Sequence, residues 1–463
     1  MRIDSSLTVS DLADPIEKLW EYSAACMDSI EATCPPGAPA PVFTIEGKYT
    51  AQGWTEWTQG FQYGSAILQY DASGNERYLE SGKARTVDVM AAHVTHAGVH
   101  DHGFNNVSTY GNLLRLAREG RFAAAAGEID FYEMALKASA AVQARRWTPI
   151  QNGSGYIYSF NGPHSLFADT IRSLRALAMG HRLGHVLMDE QDHKVSLFER
   201  LVHHAQATAD YAVYYGEGRD AYDIRGRVAH ESIFNTNNGC YRCANSQQGY
   251  SPFTTWTRGL AWIVVGYPEQ LEFLDTVGDA DFESLGGRDS VTAMMLKAAR
   301  AACDFYIEQM PADGIPYWDT GAPGLAKMPD HIENPADPYN GHEPVDSSAA
   351  AIAAQGLLRL GHYLESHGDA EAGKRYWQAG LTVFKTLLGD PYLSSDPAHQ
   401  GLILHSVYHR PNNWDHVPKG SKVPHGESSM WGDYHARETA LYLQRIIRDE
   451  PYYTFFGPTP STS

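Results

Sequence analysis

Six short motifs recur along this 463-residue chain, each directly ahead of a helical stretch: Glu56-Trp57-Thr58-Gln59-Gly60-Phe61, His100-Asp101-His102-Gly103-Phe104, Asp169-Thr170-Ile171-Arg172, Trp256-Thr257-Arg258-Gly259-Leu260-Ala261-Trp262, Asp346-Ser347-Ser348 and Met430-Trp431-Gly432-Asp433-Tyr434. Between consecutive motifs there is room for one further amphipathic helix. Polar, aromatic and ionisable residues gathered at the same end of successive helices suit a ring of paired helices whose central mouth is a binding or active site.

Periodicity separates two kinds of helix. Val195, Phe198, Leu201, Val202, Ala205, Ala209 and Ala212 recur at three- and four-residue steps, as do Trp377, Leu381, Phe384 and Leu388, so each run has one apolar stripe and one wet face. The run from Asp346 to Leu358 instead opens on a good N-cap and is apolar nearly all round, with small residues that let neighbours approach. Such helices belong inside. Outer helices are expected near 10–30, 66–93, 112–145, 190–215, 289–309 and 370–388, and an inner helix after each motif. Twelve helices alternating in this way make an all-α fold, an (α/α)6 barrel. Its alternatives are an α-solenoid, which shows tighter repeat self-similarity, and an irregular helical protein.

No proline-, glycine- or serine-rich linker divides the chain, so residues 1–463 read as a single (α/α)6-barrel catalytic domain. Cys34 to Pro41 and Thr320 to Gly324 read as long loops that shape a site. The first residues lack the apolar core of a signal peptide, and no 18-residue uncharged apolar stretch exists. A cytoplasmic protein that does not engage a membrane is therefore expected. The formal charge of −19 disfavours nucleic acid and anionic lipid as partners. Five scattered cysteines make no disulfide framework, and Cys240-Tyr241-Arg242-Cys243 is a lone C-x-x-C best taken as thiols in a loop. The sequence leaves the oligomeric state open.

The chemistry centres on two aspartates. Asp101 and Asp169 each open a helix, where the dipole and free N–H groups stabilise a carboxylate, so each taken singly reads as an N-cap. If both face one barrel mouth, their repulsion raises the pKa of one and leaves an acid beside a carboxylate near neutral pH, the equipment for acid/base work at a sugar. Arg258 begins an otherwise apolar helix, so its role is to pair with a carboxylate, from the protein or from a ligand. Trp54, Trp57, Trp262 and Trp431 offer faces on which sugar rings lie. His93, His96, His100 and His102 raise a metal enzyme as a rival, but they read better as support around the site, and neither metal nor cofactor is called for.

The motifs together resemble those of glycoside hydrolase family 88, the unsaturated glucuronyl hydrolases, and more distantly the unsaturated rhamnogalacturonyl hydrolases of family 105. The likeness runs through W-T-x-G-F at Trp57, H-D-x-G-F at His100, the helix at Asp169, Q-G-Y…W-x-R-G-x-A-W from Gln248 to Trp262, Y-W-D at Tyr317, D-S-S-A-A-A-I-A at Asp346 and S-x-x-W-G-D-Y near Ser428. It implies an (α/α)6 barrel and an unusual reaction on a small-molecule substrate, an oligosaccharide ending in a 4,5-unsaturated uronic acid. The enzyme protonates C4 of the vinyl ether, water adds at C5, and the hemiketal opens with loss of the glycosidic bond.

By motif position, the resemblance assigns Asp169 as acid/base and Asp101 as its partner. It gives His230, Gln248 and Arg258 as sugar contacts and Trp57, Phe61 and Trp262 as an aromatic wall. His405, Arg410 and Ser428 are implied to receive the substrate's carboxylate. Thr170 and Ser173 stand where family members often carry asparagine, so the hydrogen bonds near the acid are expected to differ. Tyr267–Arg288 and His409–Gly426 are expected to line or extend the mouth. An inverting glycosidase or epimerase acting on saturated glycosides is the rival reading.

Overall fold

The computed structural model describes residues 1–35, 37–53 and 56–457; Trp54 lies outside the described residues. Among them, helices alternate between an outer and an inner ring. The outer helices are α1 (Ala13–Thr33), α3 (Glu76–Val89), α5 (Ala126–Arg145), α7 (Leu197–Tyr211), α9 (Arg288–Gln309) and α11 (Ala370–Leu387). The inner ones are α2 (Gln59–Ser73), α4 (His102–Asn105, Val107–Gly111 and Asn112–Arg118), α6 (Thr170–Ser173 and Arg175–Arg182), α8 (Thr257–Leu274), α10 (Ser347–Ser366) and α12 (Met430–Ile447). Each inner helix packs on the next, and α12 packs back on α2, so the inner ring closes. The expected (α/α)6 barrel is the observed one.

Two expected outer helices need correction. The 66–93 run is the end of inner α2 followed by outer α3, broken at Gly74, which caps α2 with φ of 70°. The 112–145 run likewise joins the end of inner α4 to outer α5. Tyr267–Arg288 does not reach the mouth: it is the C-terminal half of α8 and the turn into α9, where Phe282 packs on Phe198.

Capping and small residues explain why these segments settle as they do. Asp346 accepts from Ser348 N at the start of α10, and Ser429 from Gly432 N at the start of α12. Inner α8 is buried along its whole length, its apolar Leu260–Val265 stretch packed in the ring and its Arg258, Glu269 and Glu272 paired with buried partners. Glycines of the inner helices set the spacing of the ring. A side chain at Gly60 would collide with the backbone of Asn105 on α4, one at Gly103 with the carbonyl of Ser173 on α6, and one at Gly356 with the carbonyl of Val264 on α8. Beneath the mouth the ring is filled by buried ions: Arg172 pairs with Glu269 and Glu438, Arg175 with Glu438, and Arg359 with Glu272.

Candidate active site

The N-terminal ends of α2, α4, α6 and α8, together with the loop at 408–414, open onto a cavity of about 220 Å3. Asp101 and Asp169 occupy the N-cap positions of α4 and α6, yet neither side chain makes a capping hydrogen bond. Both line the cavity instead, which sets the N-cap reading aside. His100 joins them: its Nε2 lies 3.0 Å from Asp169 Oδ1 and 3.8 Å from Asp101 Oδ1.

Local structure holds this trio in place. Ser173 Oγ donates to the His100 carbonyl at 2.6 Å and accepts from Gly103 N and Gln143 Nε2, each at 3.0 Å, so α6 carries its own tether to the loop bearing His100 and Asp101. A three-stranded antiparallel sheet, Ser165–Phe167, Glu231–Asn235 and Cys240–Asn245, leads into the site. Beyond its first pairing, Ala168 N donates to His230 O at 2.9 Å, which sets His230 beside Asp169. His230 Nδ1 accepts from the Gln247 and Gln248 amides, so its proton sits on Nε2, which has no partner among the described residues.

The two carboxylates are electrostatically unequal. Burial and the neighbouring Asp169 charge outweigh His100 and hold Asp101 above the ordinary aspartate range. Burial pushes Asp169 the same way, but the charge and hydrogen bond of His100 overcome it and the pKa is lowered. Burial works against a charge on His100, and the two carboxylates reverse that and raise it. His230 stays neutral at physiological pH, pushed down to about 4 by burial.

Arg258 finds its carboxylate within the protein. Its Nη1 pairs with Asp346 Oδ2 at 2.8 Å and donates to the Val407 carbonyl; its Nη2 donates to Tyr408 O at 2.6 Å and Gln248 Oε1 at 3.0 Å. The side chain borders the cavity but is committed to holding Asp346, Gln248 and the 407–408 backbone. Trp57, Trp256 and Trp262 form the wall, and Phe104 packed on Trp262, with ring centroids 4.8 Å apart, closes the floor.

Of the residues expected at the site, the structure brings Asp101, Asp169, Trp57, Gln248, Arg258 and Trp262 to the cavity, and His230 immediately behind Asp169. Four others lie elsewhere. Phe61 is fully buried beneath Trp57. His405 is tucked between Tyr339 and Tyr392, its Nδ1 accepting from Gly426 N. Ser428 is fully buried and donates to Ile403 O at 2.6 Å. Arg410 stands next to the lining without joining it, close to Asp415. These assignments rested on the order of motifs along the chain, which does not tell a cavity wall from the layer packed behind it. Sequence reasoning missed His100, Phe160 and Trp256 as lining residues, while His409, Asn412 and Trp414 fall in the 409–426 stretch expected to line the mouth. His100 and Trp256 stand inside the motifs and could have been found there; Phe160 sits in a loop with no motif to mark it.

Among the described residues, no group of three or more histidine, cysteine, aspartate or glutamate side chains is placed to hold a metal ion, and no helix is long and apolar enough to cross a membrane. The fold is an (α/α)6 barrel, and its cavity gathers two aspartates, a histidine and several aromatic faces. The chain is homologous to the unsaturated glucuronyl hydrolases, in agreement with its resemblance to glycoside hydrolase family 88. It is 27% identical over 409 residues to the unsaturated glucuronyl hydrolase of Bacillus sp. strain GL1, covering 86% of this chain and 89% of that one. It is 25% identical over 394 residues to that of Formosa agariphila, covering 85% and 81%. The crystal structure of the Bacillus sp. GL1 enzyme superposes with a TM-score of 0.69 at 23% identity, covering 95% of this chain and 100% of that one. No protein-family model matches the sequence.

Proposed function

We propose that this protein removes the 4,5-unsaturated uronic acid from the non-reducing end of small oligosaccharides by hydrating its vinyl ether. The observation that carries the proposal is the trio at the mouth: one imidazole nitrogen reaching two uncapped carboxylates whose pKa values are pushed apart. The closed floor suits a substrate entered by its terminal unit alone.

In the resting site His100 holds a proton against Asp169. The substrate's own carboxylate brings negative charge into the cavity, and the proton passes from His100 to Asp169. Asp169 delivers it to C4, and positive charge spreads over C5 and the ring oxygen. Asp169, again a carboxylate, takes a proton from the water that adds at C5. The hemiketal opens, the bond to the leaving sugar breaks, and a keto acid is released. The Nε2–H of His230 donates a hydrogen bond to the ring, and Asp101 accepts one from a ring hydroxyl. Trp57 and Trp262 supply apolar faces. No cofactor enters this scheme.

The test is a matched pair of disaccharides, one with the C4=C5 bond and one saturated. Turnover of the unsaturated member alone, with loss of its ultraviolet absorbance, is the expected result. Hydrolysis of the saturated member would overturn the proposal in favour of attack at the anomeric carbon.

A further inference from the structure

Arg146 follows the last turn of α5 and is buried behind the mouth. Its three guanidinium nitrogens donate to backbone carbonyls rather than to carboxylates: Nε to Tyr158 at 3.1 Å, Nη1 to Ala97 and Nη2 to Ser159 at 2.6 Å. The Tyr158 amide donates back to the Arg146 carbonyl at 3.0 Å, and the guanidinium lies 4.2 Å from the centroid of the Tyr158 ring. Two loops meet in this clamp. Ala97 leads into Val99, His100 and Asp101, and Ser159 leads into Phe160, whose ring is stacked on that of His100 with centroids 6.3 Å apart.

Carbonyl dipoles and the C-terminal end of a helix hold a cation without neutralising it. The Arg146 charge therefore reaches Asp101, where it opposes the burial and the Asp169 charge that push that carboxyl up. The same charge acts against a proton on His100. The other ionisable groups facing the pair are His96, in the loop before it, and His204 and His230, which burial pushes down to about 3 and about 4 and so keeps neutral.

We infer that, within the proposed reaction on which this inference rests, Arg146 is a positioning residue: it clamps the His100–Asp101 loop to the wall at Phe160 and supplies the fixed positive charge against which Asp101 stays ionised to accept the ring hydroxyl. Arg146→Gln removes the charge, and Arg146→Lys keeps it but gives up the three-point fork.

For an unsaturated disaccharide, kcat/KM should rise on the acid side as Asp101 ionises and fall on the alkaline side as His100 loses its proton. In Arg146→Gln both limbs should move to higher pH by about half a unit or more, a shift that a loop clamp alone would not produce. In Arg146→Lys the limbs should stay in place while kcat falls by about tenfold or more, which tests the clamp even if Arg146→Gln does not fold. Titration of the His100 imidazole by NMR in the unliganded protein reads the charge without turnover, and its midpoint should rise in Arg146→Gln and hold in Arg146→Lys. Unmoved limbs and an unmoved His100 titration in a folded Arg146→Gln would overturn the inference, as would a wild-type kcat in Arg146→Lys. A wild-type protein that leaves the disaccharide intact, with the His100 titration shifting as described, would overturn the proposed reaction and leave the action of Arg146 on the site standing.

Discussion

His100 Nε2 lies 3.0 Å from Asp169 Oδ1, so the carboxylate proposed to move the proton is hydrogen-bonded to an imidazole whose charged form its surroundings favour. That pair makes the pH behaviour definite. It exists as an ion pair between the lowered pKa of Asp169 and the raised pKa of His100. Its contribution to stability is lost as pH rises through the folded pKa of His100, and lost again as pH falls through that of Asp169. Turnover should follow the same window, because proton delivery needs His100 protonated. His100→Asn should lower kcat by about 10²-fold or more, the range of one acid/base group, and should remove the alkaline limb from the kcat profile. An unchanged alkaline limb would take His100 out of the proton path.

Arg258→Ala should destabilise the fold as well as weaken substrate binding. The change strands the Asp346 carboxylate, which is fully buried, and breaking a buried pair by removing one partner typically costs about 3–5 kcal/mol. It also frees the carbonyls of Val407 and Tyr408, so the rim loop carrying His409 and Trp414 should loosen. Denaturant unfolding alongside KM would check this. A raised KM with unaltered stability would restore Arg258 to a purely ligand-binding role.

Gly103→Ala should uncouple the two aspartates. The added methyl would meet the Ser173 carbonyl, forcing α4 away from α6 and stretching the Ser173 tether to His100. Overpacking of this kind costs about 1–3 kcal/mol, and kcat should fall more than KM rises. Near-normal kcat in a destabilised variant would show that the spacing has slack.

Glu438→Ala should be among the most damaging changes away from the mouth. Glu438 receives both Arg172 and Arg175 and is held well below the usual carboxylate range: burial opposes this, and the two guanidinium charges outweigh it. Removing it takes from Arg175 its nearer carboxylate and from Arg172 one of its two, leaving Glu269 alone between two buried cations, and breaking a buried pair typically costs about 3–5 kcal/mol. Circular dichroism during thermal unfolding would read it, and a shift of only a degree or two would contradict the importance given to this layer.

The sequence displayed the barrel well because inner and outer helices differ in kind: α10 is apolar all round, and α7 and α11 have a single stripe. Where the pattern failed, the cause was a turn too tight to interrupt it, as at Gly74 between α2 and α3. The aspartates were legible through their motifs, where Gly60 and Gly103 fix how closely α2 approaches α4 and α4 approaches α6. Roles within a motif were less so. Arg258 was open to two partners, and only the folded chain shows Asp346 in reach. His405 and Ser428 lie close to site loops in sequence but face away from the cavity, a matter of chain direction that spacing does not encode.

Loss of ultraviolet absorbance from an unsaturated uronyl disaccharide, followed with the wild-type protein and with Asp169→Asn, tests the central claim most directly. The account predicts decay with the wild type and a rate lower by about 10³-fold or more in the variant, with the fold and disaccharide binding retained, as for loss of a group acting in proton transfer. Comparable decay in both proteins would contradict it.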